Sequence, residues 1–171
     1  LVQADLKIGG RVRKVLMQAN KNGFFYVLDR ETGEFLSGTP FAEGMNWATG
    51  LDPRTGRPIE APGFAGRNAV IVSPDTVGAH NWNPMAFSPQ TGLVYLPVQN
   101  THFRFAPDPH FVHRRPGGNM GVDMAGFLKQ VTDFAGYLEA WDPVAGKVVW
   151  SGPKTRQGQT GGALATAGGL V

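Results

Sequence analysis

The stretch Gln18-Ala-Asn-Lys-Asn-Gly-Phe-Phe-Tyr-Val-Leu-Asp-Arg30 decides the fold. Just upstream, Val15 to Met17 form one apolar run, and Phe24 to Leu28 form a second. Between them lies a polar turn containing Asn22-Gly23. Asn and Gly tolerate positive φ, so this pair between two apolar runs predicts a β-hairpin. Lys21 sits at the lip of that turn. A cation fixed at the end of two buried strands is either solvated or placed for chemistry.

A second signal follows at once. Asp29-Arg-Glu-Thr-Gly33 reads as strand, tight turn, strand. The unit recurs at Leu51-Asp-Pro-Arg-Thr-Gly56, at Ser88-Pro-Gln-Thr-Gly92 and at Asp142-Pro-Val-Ala-Gly146. Asp or Ser caps such a turn with its side chain, Pro presets φ, and Gly takes the left-handed position. The copy at 51–59 has weak flanking strands and reads as a loop turn. Repeated hairpins at irregular spacing indicate radially repeated sheets, a β-propeller. Blades of four strands take roughly 40–55 residues each. The expectation is therefore an all-β chain of about three antiparallel four-stranded blades, a partial propeller domain over residues 1–171.

Composition agrees. The chain has 171 residues, 42% of them hydrophobic and only 17% charged, which excludes a disordered chain. Gly 24 and Pro 13 fit many short strands joined by tight turns. The net charge of +3 is mild and scattered, apart from Arg11-Val-Arg-Lys14 and Arg114-Arg115. It offers no dense basic face for nucleic acid. The absence of cysteine removes disulfide, zinc-thiolate and thiol-nucleophile schemes. No apolar run approaches the roughly 18–20 residues that a membrane helix needs. The run Gly161-Gly-Ala-Leu-Ala-Thr-Ala-Gly-Gly-Leu-Val171 reads as an apolar strand, and its abrupt stop is read as an excerpt of a longer chain. Ala61 to Arg67 reads as loop. Residues 101–130, rich in Pro, Gly, His and Arg, read as a long surface insertion, with at most a short helix at Met124 to Val131.

Three stretches carry a resemblance: Lys21-Asn-Gly-Phe-Phe-Tyr-Val-Leu-Asp-Arg-Glu-Thr-Gly33, Gly78-Ala-His-Asn-Trp-Asn-Pro84 and Gln90-Thr-Gly-Leu-Val-Tyr-Leu-Pro97. With them the chain resembles the pyrroloquinoline quinone (PQQ)-dependent alcohol dehydrogenases, most closely the quinohemoprotein type. Leu138-Glu-Ala-Trp-Asp-Pro-Val-Ala-Gly-Lys-Val-Val-Trp150 looks like that family's tryptophan-docking motif. The match covers the whole chain except the 101–130 insertion. It implies the middle of an eight-bladed propeller that holds PQQ with Ca²⁺ on its axis. The calcium ligands, a vicinal cysteine pair and the catalytic aspartate base would lie upstream of this chain. Any haem c domain would lie downstream. The resemblance further implies an alcohol substrate, a cytochrome or quinone electron acceptor, and a periplasmic location. Any membrane association would run through missing parts. The isolated chain should be inactive. Two alternatives stay open: a non-catalytic PQQ-repeat propeller acting as an assembly scaffold, and a PQQ-dependent sugar dehydrogenase.

The resemblance assigns roles to three residues. Lys21 matches the cation placed against the C4 and C5 oxygens of PQQ, where a fixed ammonium stabilises the charge of reduction. Lys in place of Arg is the quinohemoprotein form. Asn81 and Trp82 match the pair that contacts the cofactor rim, expected as the partner of Lys21 across the axis. An amide offers donor and acceptor, and an indole offers N–H and flat apolar area. His80 reads as structural. Asn46-Trp47 reads as a packed loop pair, with lining of a substrate entrance as the alternative. Trp150, with Ala140, Asp142 and Gly146, reads as blade docking, and Trp141 as either. His110 and His113 could suggest metal ligands, but Pro109 and Arg114-Arg115 beside them argue for a surface loop, and no metal ligand is nominated.

Overall fold

The computed structural model describes residues 1–64, 69–117, 120–123, 135–156 and 161–171. The described residues contain strands and turns and no helix. The strands run in order: β1 (Val2–Ile8), β2 (Arg11–Ala19), β3 (Phe24–Asp29), β4 (Phe35–Pro40), β5 (Ala48–Leu51), β6 (Pro58–Glu60), β7 (Val70–Val72), β8 (Ala86–Ser88), β9 (Leu93–Asn100), β10 (Phe103–Phe105), β11 (Ala135–Asp142) and β12 (Lys147–Ser151). All described pairings are antiparallel.

Two four-stranded sheets result, one ordered β1-β2-β3-β4 and one ordered β12-β11-β9-β8. The remaining strands form two ribbons, β5-β6 and β7-β10. The estimate of about three blades counts these ribbon residues as blade material. β5, β6 and β7 lie between the complete sheets in sequence, β10 falls between β9 and β11 of the second sheet, and all but β5 are three residues long. The turn at 51–59 is a real hairpin all the same, because β5 and β6 pair around it. The 101–130 insertion is not all loop either. It opens with β10, paired to β7, and Pro107 bridges Val122. Met124 to Val131 lies outside the described residues. Residues 161–171 are not a strand; they close a turn in which Thr166 N–H donates to Leu170 O at 2.9 Å. Four glycines in eleven residues favour turns over a pleated ladder.

The core lies between the two sheets. Strand side chains alternate faces. Val15, Met17 and Ala19 of β2 therefore share a face with Phe25 and Val27 of β3, and all five are buried. They belong to one cluster with Val94, Leu96 and Val98 of β9 and Trp141 of β11. Phe25 and Trp141 meet at 5.5 Å between ring centroids. Each such buried side chain is worth about 1.5–3 kcal/mol against leaving it in water. The turn glycine Gly146 also approaches the first sheet: a Cβ there would stand 3.0 Å from Thr39 Oγ1. Gly146 and Trp141 thus dock the sheets. Trp150 does not. It pairs with Ala140, which puts it on the far face of its own sheet, 6.0 Å from the Tyr95 ring and 42% exposed.

The recurring turn has one geometry. Asp29 Oδ1 accepts from Glu31 and Thr32 N–H at 2.9 and 3.0 Å, and Gly33 N–H donates to Asp29 O at 2.8 Å. Asp52 and Asp142 repeat these bonds within about 0.1 Å. Gly33, Gly56, Gly92 and Gly146 all sit at φ between 62° and 77°.

Candidate functional site

The turn that carries Lys21 is built differently from the Asp turns. Gly23 N–H donates to Asn20 O, and Asn20 N–H to Phe24 O, both at 3.0 Å. Only Gly23 takes a positive φ there, +92°. Asn22 does not, so the expected hairpin between β2 and β3 closes through a side-chain-capped loop in which Gly23 alone is left-handed. The asparagine side chains do the capping: Asn20 Oδ1 accepts from Asn22 N–H, and Asn22 Oδ1 from Phe24 N–H. Asn22 Nδ2 donates to the Tyr26 hydroxyl at 2.9 Å.

Three consecutive carbonyls of this turn are taken by other parts of the chain. Gly23 O accepts from Phe41 and Ala42 N–H at 2.9 and 3.3 Å. Asn22 O accepts from Trp47 Nε1 at 2.9 Å. Lys21 O accepts from Ala79 N–H at 3.0 Å. Trp47 also stands edge-on to Phe24, 6.2 Å between centroids. Asn46 spends its amide on Ile71 O and Ser73 N–H. Asn46 and Trp47 are thus both tied to neighbouring backbone, Trp47 half-buried and Asn46 exposed.

Residues 78–82 lie directly against Lys21. A Cβ on Gly78 would stand 2.6 Å from Lys21 Cα, so the two backbones meet at a distance only glycine permits. His80 is buried, and its Nδ1 stands 2.7 Å from Pro97 O. A carbonyl only accepts, so Nδ1 carries the proton. Burial holds the imidazole pKa below its usual value, and the bond to Pro97 O opposes that shift. His80 is thus held by the Pro97 carbonyl, and it also lines the hollow that follows.

Beyond His80 the chain opens onto a hollow of about 280 Å³. Gln18, Ala19, Asn81, Trp82 and Met85 are among its lining residues. Asn81 is half-buried, and Trp82 is 82% exposed. Lys21 is exposed and is not one of the lining residues. Its backbone nonetheless joins the hollow's wall through Ala79, so Lys21 and Asn81-Trp82 are immediate neighbours on joined segments. Residues 161–163 reach the same region, with Ala163 N–H donating to Pro84 O at 2.8 Å.

His110 and His113 take no part. Both are exposed, and His110 N–H is capped by Asp108 Oδ1 at 2.8 Å. Among the described residues no group of three or more His, Asp or Glu could hold a metal.

Sequence reasoning passes over Gln99, and it leaves Glu139 aside because carboxylate type alone gives it no partner. Gln99 is buried on β9 and bonds the 78–79 segment. Glu139 is 2% exposed on β11, and its Oε2 has no hydrogen-bond partner. Burial, and then Glu43, push its pKa up to about 7. Glu43 itself is held by Lys154 at 2.5 Å and by Asn100 Nδ2 at 2.9 Å. The available signal in both cases was a polar residue within an otherwise apolar strand.

No protein-family model matches the chain. Whole-chain comparisons do. It is 44% identical to quinohemoprotein alcohol dehydrogenase ADH IIB of Pseudomonas putida, over 98% of this chain and 24% of that protein. It is 42% identical to quinohemoprotein alcohol dehydrogenase of Comamonas testosteroni, over 100% of this chain and 25% of that protein. The chain belongs to the quinoprotein alcohol dehydrogenase family. It spans about a quarter of the length of the curated relatives it matches. Among solved structures, quinohemoprotein alcohol dehydrogenase ADHIIG of Pseudomonas putida HK5 superposes with a TM-score of 0.85 at 39% identity, over 98% of this chain and 26% of that one. A europium-containing methanol dehydrogenase superposes at 0.71 and 27% identity, over 90% of this chain and 27% of that one. The two packed sheets are thus part of a family propeller.

Proposed function

We propose that this chain is the cofactor-facing part of a PQQ-dependent alcohol dehydrogenase. The observation that carries the reading is the junction of the Lys21 turn with the Asn81-Trp82 segment, made by the 3.0 Å bond from Ala79 N–H to Lys21 O. The residues fit a flat, oxygen-rich group. Trp82 leaves most of its indole uncovered beside a polar hollow, and Asn81 offers an amide at its wall. Lys21 adds an exposed cation on the adjoining turn.

PQQ, when bound, would supply the acceptor for a hydride from the alcohol carbon. In that chemistry Lys21 supplies fixed positive charge for oxygens that gain negative charge, an electrostatic role that strengthens toward the transition state. Asn81 donates to and accepts from the cofactor rim. Trp82 supplies flat apolar area and one N–H donor. The base that takes the alcohol proton and the ligands of Ca²⁺ lie outside this chain. A haem c domain, a cytochrome or quinone acceptor and a periplasmic setting complete the proposal, and the 171 residues alone are inactive.

The test uses the full-length enzyme. It should bind PQQ with Ca²⁺ and reduce an artificial electron acceptor when given ethanol. Failure to do either sinks the reading.

A further inference from the structure

Gln99 joins the two halves of the candidate site, yet the proposed chemistry gives it no part. It lies near the end of β9, buried to 4% exposure. Its side-chain Nε2 donates to Gly78 O at 2.6 Å. Its backbone N–H donates to Ala79 O at 2.9 Å. Ala79 N–H in turn donates to Lys21 O at 3.0 Å. One residue therefore holds two successive carbonyls of the segment that leads to Asn81-Trp82, and the next amide along holds the Lys21 turn. Gly78 sits at φ +87°, and any Cβ on it would strike Lys21 at 2.6 Å. The spacing is thus bounded from both sides: Gln99 pulls the segment onto β9, and the Lys21 backbone stops it. A buried amide is costly unless bonded. The neighbouring β9 positions Leu96 and Val98 are apolar and fully buried, so an amide at 99 stands out in its strand.

We infer that Gln99 is a positioning residue for the quinone cofactor, setting the separation between the Lys21 turn and Asn81-Trp82 by clamping Gly78 and Ala79. The inference rests on the cofactor reading given above. Binding groups held in place before the ligand arrives bind more tightly than groups ordered by it.

The experiment titrates PQQ, with Ca²⁺ present, into the full-length apoenzyme. Affinity, the absorption band of the bound quinone, and the melting temperature of the apoenzyme are read together. Gln99→Met keeps side-chain length and apolar bulk but removes the donor. It should raise the Kd for PQQ about ten-fold, the scale of one lost buried polar contact, and shift the absorption band. Val98→Ala, on the opposite face of β9, should lower the melting temperature at least as much while leaving Kd within about two-fold. Gly78→Ala attacks the clamp from its other end and should reproduce the Gln99→Met effect on affinity and band. If Gln99→Met yields no folded apoenzyme, Gly78→Ala decides. Equal changes in Kd for Gln99→Met and Val98→Ala, or unchanged affinity in both clamp variants while Lys21→Ala weakens it, would overturn the inference alone. A wild-type enzyme that binds no PQQ overturns the cofactor reading and this inference with it.

Discussion

Two short turns sit at the two ends of β3, and they are opposites. The turn at Asp29–Gly33 is self-sufficient. Its cap is its own aspartate, and its outside help comes from the other strands of its own sheet: Arg13 of β2 reaches Asp29 at 3.1 Å, Arg30 N–H donates to Lys14 O, and the Arg30 guanidinium pairs with Asp5 of β1 at 3.2 Å. The same bonds recur at Asp52 and Asp142. The turn at 20–23 is a hub. Its last three carbonyls serve residues from three distant stretches, at 41–42, 47 and 79. A turn that only reverses the chain needs local partners alone. A turn that must hold a cation in place has to be tied down from outside, because its own backbone cannot fix it against motion.

The largest expected effect comes from the cation itself. Lys21→Ala in the full-length enzyme should lower turnover by about 10²–10³, the range for losing one preorganised electrostatic donor. The side chain is exposed, so the melting temperature should hardly move. Steady-state kinetics with a dye acceptor, set beside calorimetry, checks this. Unchanged turnover with PQQ bound would make Lys21 as ordinary as the Asp turns.

A second effect tests whether stability and site are separable. Glu139 is buried between the sheets, with its pKa raised from 4.5 to about 7. The charged, titrating and polar groups around it are Glu43, Lys154, Tyr137, Asn100 and Ser151. A raised carboxyl pKa means that the fold favours the protonated acid. Stability is then full below about pH 4.5 and falls as pH rises through about 7. Glu139→Gln removes the charge and keeps the shape. At pH 8 it should be more stable than wild type by roughly 3 kcal/mol at most, and at pH 4 the two should agree. Denaturant unfolding at both pH values measures it. PQQ affinity should not follow, since Glu139 is not one of the hollow's lining residues.

Trp47→Phe should come next. It keeps the ring against Phe24 and removes only the N–H bonded to Asn22 O. The loss should be about 1–2 kcal/mol of stability, accompanied by weaker PQQ binding, because one of the hub's three ties is gone. Stability loss with affinity intact would show that the hub is ordinary packing.

How much of this could be read from the sequence depended on how local the cause was. The Asp turns were legible because the aspartate cap and the glycine lie within five residues. The β-rich fold followed from their repetition. Lys21, Asn81 and Trp82 stood out through motif resemblance. The ties that bring them together did not, since a bond from Ala79 to Lys21 or from Gln99 to Gly78 depends on how separate strands stack. The same limit explains Trp150. Its motif marked it for docking, but only register tells which face it serves: Trp141 takes the face toward the first sheet, and Trp150 takes the opposite face.

The smallest effect tests the self-sufficient turn. Backbone N–H groups of Thr32 and Glu31, and then Arg13, hold the Asp29 carboxyl below its ordinary range, with burial opposing them. A lowered pKa contributes stability above the unfolded value near 3.8, and that contribution is lost as pH falls through the folded value. Asp29→Asn keeps an oxygen for both N–H groups and loses the charge beside Arg13. Its melting temperature should therefore drop slightly at pH 7, and the gap to wild type should close as pH falls below about 3.8. PQQ affinity in the full-length enzyme should stay as it was, because none of this turn's bonds reaches residues 78–82. A change in affinity here would mean that β3 transmits strain from one end to the other, and the two turns would then be one device.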